Sequence, residues 1–235
     1  MKNKFLQQIL QNRRRSAGYL LFVLYMVSCT HASEYKVAHA ASRSQDSIQQ
    51  ELLAKRAWNQ LKQLKPVFET GDLITRTGND FTSESLRNFN DSDNRYSHIG
   101  MISIENDSIL VYHALGGEFN PDQRIMRDPL SHFAEPYGNR GIGLFRLTHR
   151  NHHLSQKMVQ EARNCYLQKI PFDLDFDLKT NDKLYCAEMI SKCIELASDH
   201  QIHFTTNRIG TFEYIAVDQI FRHPAFHEIL ALRYK

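Results

Sequence analysis

Residues Ser97–Leu115 read SHIGMISIENDSILVYHAL. Two apolar runs, Ser97–Ile104 and Ile109–Leu115, flank Glu105-Asn106-Asp107-Ser108, a pattern that predicts a β-hairpin. With Asn106 and Asp107 as a two-residue turn, Ile104 faces Ile109, Ile102 faces Val111 and Gly100 faces His113. The two-residue period puts His98 and Gly100 on one face, with His113 diagonal to His98 at about 7 Å. Gly100 has no side chain to separate the two rings. A turn one residue longer or shorter would send His113 to the opposite face. Taken alone, the pair reads most simply as two core histidines.

Upstream, Ile48, Leu52, Trp58, Leu61 and Leu64 recur near helical spacing, which predicts a helix from about Ser44 that Pro66 ends. Gly71-Asp72-Leu73-Ile74-Thr75 opens a short strand, and the polar stretch 79–95 predicts a loop with a short helix. Downstream, Ile142–Leu147 reads as a strand, and Leu154–Gln168 and Leu184–Ala197 read as amphipathic helices. Asp173-Leu174-Asp175-Phe176-Asp177 lacks the Gly and Glu of a calcium loop, because Leu178 and Leu184 stand there instead. It reads as an exposed strand or ordered loop. The C-terminal stretch carries aromatic anchors (Phe212, Tyr214, Phe221, Phe226) without evident chemistry. Strands and helices in this order predict an α+β domain around an antiparallel sheet.

Composition agrees with one folded domain: 235 residues, 42% hydrophobic, 11% aromatic and 23% charged. It excludes a disordered tail protein, a collagenous repeat and a disulfide-dense scaffold. Four cysteines without CxxC spacing argue against a structural zinc site. The net charge of +3 comes from the first 28 residues, which hold Lys2, Lys4, Arg13, Arg14 and Arg15 and no acid. The remainder has 24 Lys+Arg against 26 Asp+Glu, a net of −2 that gives no reason to expect nucleic-acid binding.

Residues 1–28 read as a signal peptide, with a basic start and an apolar run, Tyr19–Val27, too short to span a bilayer. Met26-Val27-Ser28-Cys29 resembles a bacterial lipoprotein box, with Met26 in place of the usual Leu. Cys29 is then the lipidated first residue; the alternative is ordinary cleavage after Thr30-His31-Ala32. Residues 29–43 form a small, polar tether, and 44–235 the folded domain. These features predict a lipid-anchored protein of the bacterial cell envelope facing the periplasm, or a secreted or periplasmic one. The membrane is the expected partner through that anchor.

Cys186 lies in Leu184-Tyr185-Cys186-Ala187-Glu188-Met189, at the expected start of a helix. Free backbone N–H groups and the positive end of the helix dipole favour a thiolate there and can receive an oxyanion. A cysteine on the apolar face of a helix is more often a core residue. The hairpin histidines supply what changes that balance, a base with a second group to orient it.

Gly71-Asp72-Leu73-Ile74, Ser97-His98-Ile99-Gly100-Met101, and Asp175-Phe176-Asp177 running into Tyr185-Cys186-Ala187-Glu188-Met189 together resemble the YaeF/YiiX-like permuted papain amidases. Those belong to the wider NlpC-type superfamily, and the resemblance spans about residues 66–222. It implies a circularly permuted papain-like fold, with Cys186 as nucleophile, His98 as base and His113 as the third polar residue. Glu118 is the alternative for that third position. Ala187 departs from the Ser usual after the cysteine, which bears on substrate fit. The implied chemistry is acyl transfer without metal or organic cofactor. The expected substrate is a small or lipid-like amide or ester; Ile99, Met101, Leu115 and Met189 read either as the lining of an acyl pocket or as ordinary core. The alternatives are a peptidoglycan endopeptidase of the NlpC type and a non-catalytic binding module on the same scaffold.

Overall fold

The structure, a computed structural model, describes residues 46–117, 120 and 122–234. The signal, the tether with Cys29, and Glu118 therefore lie outside the described residues. The chain divides into two units, Met1–Leu52 and Leu53–Lys235. Of the first, residues 46–52 are described and are helical.

In the second unit, residues 53–63 form helix α1, and a short 3-10 turn at Lys65–Val67 carries Pro66. Strand β1 (Leu73–Gly78) and helix α2 (Phe81–Arg87) follow, the helix capped by Asp80, whose carboxylate accepts from Ser83 N. The hairpin is β2 (His98–Glu105) and β3 (Ser108–Ala114). Next come β4 (Ile125–Pro129), α3 (Leu130–Phe133), β5 (Asn139–Leu147) and α4 (His152–Leu167). Helix α5 (Cys186–Ala197), the small ribbon β6 (Asn207–Ile209) and β7 (Phe212–Tyr214), α6 (Val217–Phe221) and β8 (Phe226–Arg233) complete the chain.

Six strands form one antiparallel sheet in the order β4-β3-β2-β1-β5-β8. Both faces are covered. On one, Leu73, Ile99, Met101, Tyr112 and Phe145 pack with Met189, Ile190 and Ile194 of α5 and Met158 of α4. On the other, Ile74, Ile102, Val111, Ile142 and Leu144 pack with Ala57 and Leu61 of α1 and Phe133 of α3. Double burial explains why the hairpin reads as near-continuous apolar runs rather than as strict alternation. The fold is thus α+β, an antiparallel sheet packed with helices. The 173–177 segment is an ordered loop: buried Asp173 accepts from the backbone N–H groups of Asp175 (2.9 Å) and Asp177 (2.6 Å). Across α4 and α5, the Cys165 and Cys193 sulfurs approach to 4.0 Å, both free thiols.

The Gly71-Asp72 pair has a structural explanation. Gly71 adopts φ +90, and a Cβ there would come within 2.6 Å of Ser155 Cβ, so only glycine fits. Asp72, 1% exposed, receives two hydrogen bonds from Arg146, Nε to Oδ1 and Nη2 to Oδ2, both at 2.7 Å. Glu69 N also donates to it, at 2.7 Å. Arg146 extends the clamp to Glu69 Oε1 and to the Val67 carbonyl, each at 2.6 Å. One guanidinium on β5 thereby fixes the chain where it enters β1. Asp72→Ala should destabilise the fold by about 1.5–3 kcal/mol, because it removes two charge-assisted hydrogen bonds from an arginine left with Glu69 and the Val67 carbonyl. Chemical denaturation measures this; a loss within about 0.5 kcal/mol would assign the clamp no structural weight.

Candidate active site

Asn106 (φ 48) and Asp107 (φ 61) both sit in the left-handed region, as a two-residue hairpin turn whose backbone twist matches the strands requires. The register is the one the sequence predicts: Ile104 pairs Ile109 and Ile102 pairs Val111, with the ladder continuing to Met101 and Tyr112. His98 and His113 consequently meet directly, His98 Nε2 lying 3.0 Å from His113 Nδ1 with the rings edge to face. A Cβ at Gly100 would stand 2.5 Å from Val111 Cγ1 and 3.2 Å from His113 Cβ. Glycine at 100 is what lets the second strand carry a histidine so close.

Beyond His113 the structure adds a residue that the sequence reading lacked. His113 Nε2 lies 3.1 Å from Asp128 Oδ2, and the same oxygen meets His132 Nδ1 at 3.1 Å. Asp128 is on β4, opposite Val111, and so diagonal to His113 on the same face. A carboxylate can only accept, which fixes the order of protons along the chain. His113 carries its proton on Nε2 and accepts at Nδ1; His98 donates from Nε2; His98 Nδ1 is left with a free lone pair. Phe133 lies over both rings, its centroid 5.6 Å from His98 and 5.0 Å from His113.

Burial holds both imidazoles below their ordinary range, His98 well below it, with the Arg76 charge adding to the effect. Asp128 keeps a depressed carboxyl: burial opposes this, but the hydrogen bond and charge of His113 and the neighbouring His132 prevail. Neutral histidines and an ionised aspartate are the resting state.

Cys186 opens α5. Its position is fixed from both sides: the Tyr185 hydroxyl donates to the Ile215 carbonyl (3.3 Å) and accepts from Ile215 N (2.8 Å). Buried Glu188 accepts from Tyr185 N at 3.2 Å and from Lys192 at 2.8 Å. Although α5 packs on the face opposite the histidines, the backbone N–H of Ile99 lies near enough to the Cys186 thiol to favour its ionised form. Ile99 is the residue after His98. Burial pushes the Cys186 thiol up to about 11, while the N–H groups of Ala187, Ile99 and Cys186 and the Arg76 charge pull the other way.

The structure thus brings His98 and His113 into contact and sets Cys186 against the adjoining backbone. It does not make an acyl-binding wall of Ile99, Met101 and Met189. All three are fully buried in the core between sheet and α5, as two-sided burial of β2 demands. Asp128 escaped the sequence because a connection of about ten residues separates β3 from β4, with no hairpin-turn signal to set the pairing. Among the described residues no group of three or more His, Cys, Asp or Glu side chains is placed to hold a metal ion.

A solved structure, the metalloprotein yiiX from Escherichia coli O157:H7, is similar to this chain with a TM-score of 0.58 and 18% identity. The likeness covers 70% of this chain and 98% of that one, and at this identity it is a likeness of fold. No family model matches the chain, and no curated protein matches it.

The protonation order has a measurable consequence. A thiol held near 11 makes iodoacetamide labelling of Cys186 accelerate across the alkaline range; a plateau near neutral pH would instead mean a stored thiolate. The depressed histidines bind protons more tightly in the unfolded chain. Their contribution to stability is present above 6.5 and is lost as pH falls from 6.5 through their lowered values. Denaturation curves that do not change below pH 6.5 would contradict their buried neutral state.

Proposed function

We propose that this protein is a cysteine hydrolase of permuted papain-like architecture, with Cys186 as nucleophile and His98 as base. The observation that carries the reading is the ordered chain His98–His113–Asp128, which leaves one basic nitrogen free on the residue next to the cysteine's backbone partner. His98 Nδ1 takes the thiol proton as Sγ attacks a carbonyl carbon. Because burial keeps the thiol protonated, proton loss and attack belong to one step. The N–H groups at the start of α5 receive the oxyanion. His98 then returns the proton to the departing amine or alcohol, and water, deprotonated by His98, releases the acyl group. His113 holds the imidazole, and Asp128 holds His113 in the tautomer that can accept.

The substrate we propose is a small or lipid-like amide or ester. The structural neighbour is described as a metalloprotein. The donors here do not fit a resident metal: His98 Nε2, both His113 nitrogens and Asp128 Oδ2 are engaged with one another. No step is routed through one.

Cys186→Ala should abolish hydrolysis, and His98→Ala should cost about 10²–10⁴-fold in kcat/KM. His113→Ala and Asp128→Asn should retain more activity than either, since they act through His98. The assay compares fatty-acyl amides and esters with purified muropeptides. Cys186-dependent cleavage of muropeptides alone would replace this reading with the peptidase. Binding without turnover of any of these would favour the non-catalytic module.

We also propose that Cys29 carries lipid and tethers the domain to the envelope membrane. About 0.8 kcal/mol per buried CH₂ makes a multiply acylated cysteine a stable anchor. Cys29→Ser should move the protein from the membrane to the soluble fraction; an unchanged distribution would remove the anchor.

A further inference from the structure

Arg76 on β1 is the Cα partner of His98 on β2, so the two side chains share a sheet face at one end of the sheet. Its guanidinium lies 4.9 Å from the centroid of Phe133, the ring that covers both histidines. Nη1 donates to the Phe133 carbonyl at 3.0 Å. Its charge acts on Cys186, His98, His113 and Asp128, which places it amid the whole site.

The other arginines with structural duties here hold carboxylates: Arg146 holds Asp72 and Glu69, Arg95 holds Asp93 and Glu228, and Arg127 holds Glu105. Among the described residues Arg76 has no carboxylate at ion-pair distance. Asp128, Glu135 and Asp80 act on it only from farther away, and each is already in use. Asp128 is taken by His113 and His132, Glu135 by the N–H groups of Tyr137 and Gly138, and Asp80 by the cap of α2. Of the five N–H donors of a guanidinium, one is spent on the Phe133 carbonyl. The side chain is half-buried: desolvated enough for a strong charge interaction, yet reachable.

A partly desolvated cation without a paired anion carries a cost, and stacking on one phenyl ring offsets only about 0.5–2 kcal/mol of that. The planar fork matches the oxygens of a carboxylate or phosphate. We propose that Arg76 binds an oxyanion group of the substrate, a carboxylate or a phosphate close to the scissile carbonyl. This rests on the hydrolase reading and narrows it to amides and esters that carry a negative charge beside the reacting bond.

The test uses two alkylating reagents of one reactivity class and different charge, so it needs no known substrate and no turnover. Iodoacetate and iodoacetamide are compared on Cys186 and on a free cysteine peptide at one mildly alkaline pH. Taking the ratio of the two rates cancels any change in the thiolate population. Wild-type protein should favour iodoacetate about tenfold more than the peptide does, and added salt should erode the preference. Arg76→Gln should bring the ratio to that of the peptide, and Arg76→Lys should keep part of it. Inorganic phosphate and acetate are then tried as protectants against iodoacetamide. Protection by phosphate assigns a phosphate-bearing substrate, and protection by acetate a carboxylate. A wild-type ratio equal to the peptide's, or a raised ratio that Arg76→Gln leaves intact in a folded protein, overturns the proposal. The wild-type ratio and the protection assay need no variant, so they decide the matter if Arg76→Gln misfolds. An anion preference without hydrolysis of any acyl compound would retain the oxyanion site and reject the enzyme; turnover without the preference would do the reverse.

Discussion

The arrangement of the histidines depends on two residues that touch neither of them. Asn106 and Asp107 adopt the left-handed conformations of a two-residue turn, and that turn fixes which residues of β2 and β3 face each other. Side chains alternate along a strand, so an error of one residue would send His113 into the opposite layer and leave His98 without its partner. Asn and Asp are the non-glycine residues that bear positive φ at least cost, because their short polar side chains bond locally. From that turn the geometry runs forward: register, then the 3.0 Å contact between imidazoles, then the line to Asp128. The carboxylate at the far end gives the line its polarity. Without an obligate acceptor there, either histidine tautomer would satisfy the pair.

What the sequence disclosed follows the range of the interactions. The hairpin and the helix that begins at Cys186 are local, written in consecutive residues, and the structure has both. The clamp of Asp72 by Arg146 spans 74 positions, and nothing near either residue announces it. Strands β4 and β8 lie at the two edges of the sheet and are only partly buried, so burial marks their sequences less clearly than those of the inner strands. Asp128 is hidden for that reason: it sits on an edge strand of polar character, reached through a long connection. The residues open to reading as acyl pocket or as core are the opposite case. Ile99, Met101 and Met189 adjoin chemically interesting residues in sequence, yet alternation and helical phase turn all three into the core.

Electrostatics at the site is a contest between burial and a few fixed charges. Burial raises the thiol and lowers the imidazoles, and both shifts favour neutral partners over a thiolate–imidazolium pair. Arg76 shifts the two differently, helping the thiolate while further disfavouring protonated histidine. It therefore keeps His98 neutral and makes the sulfur easier to ionise. A neutral resting pair also avoids storing a reactive thiolate, which is the form that oxidants attack.

Two arginines on neighbouring strands show how the same side chain is assigned to fold or to chemistry. Arg146 on β5 finds Asp72, Glu69 and the Val67 carbonyl, and its donors are consumed in holding the chain together. Arg76 on β1 has a carbonyl and an aromatic ring, and the carboxylates around it are committed elsewhere. Replacing the first removes a structural joint. The second carries a charge that no carboxylate among the described residues pairs, and it biases the protonation of Cys186 and the two histidines. The Gly71-Asp72 motif, although it takes part in the family resemblance, therefore belongs to the architecture. The residue four positions after Asp72 is the one that shares a sheet face with the histidines.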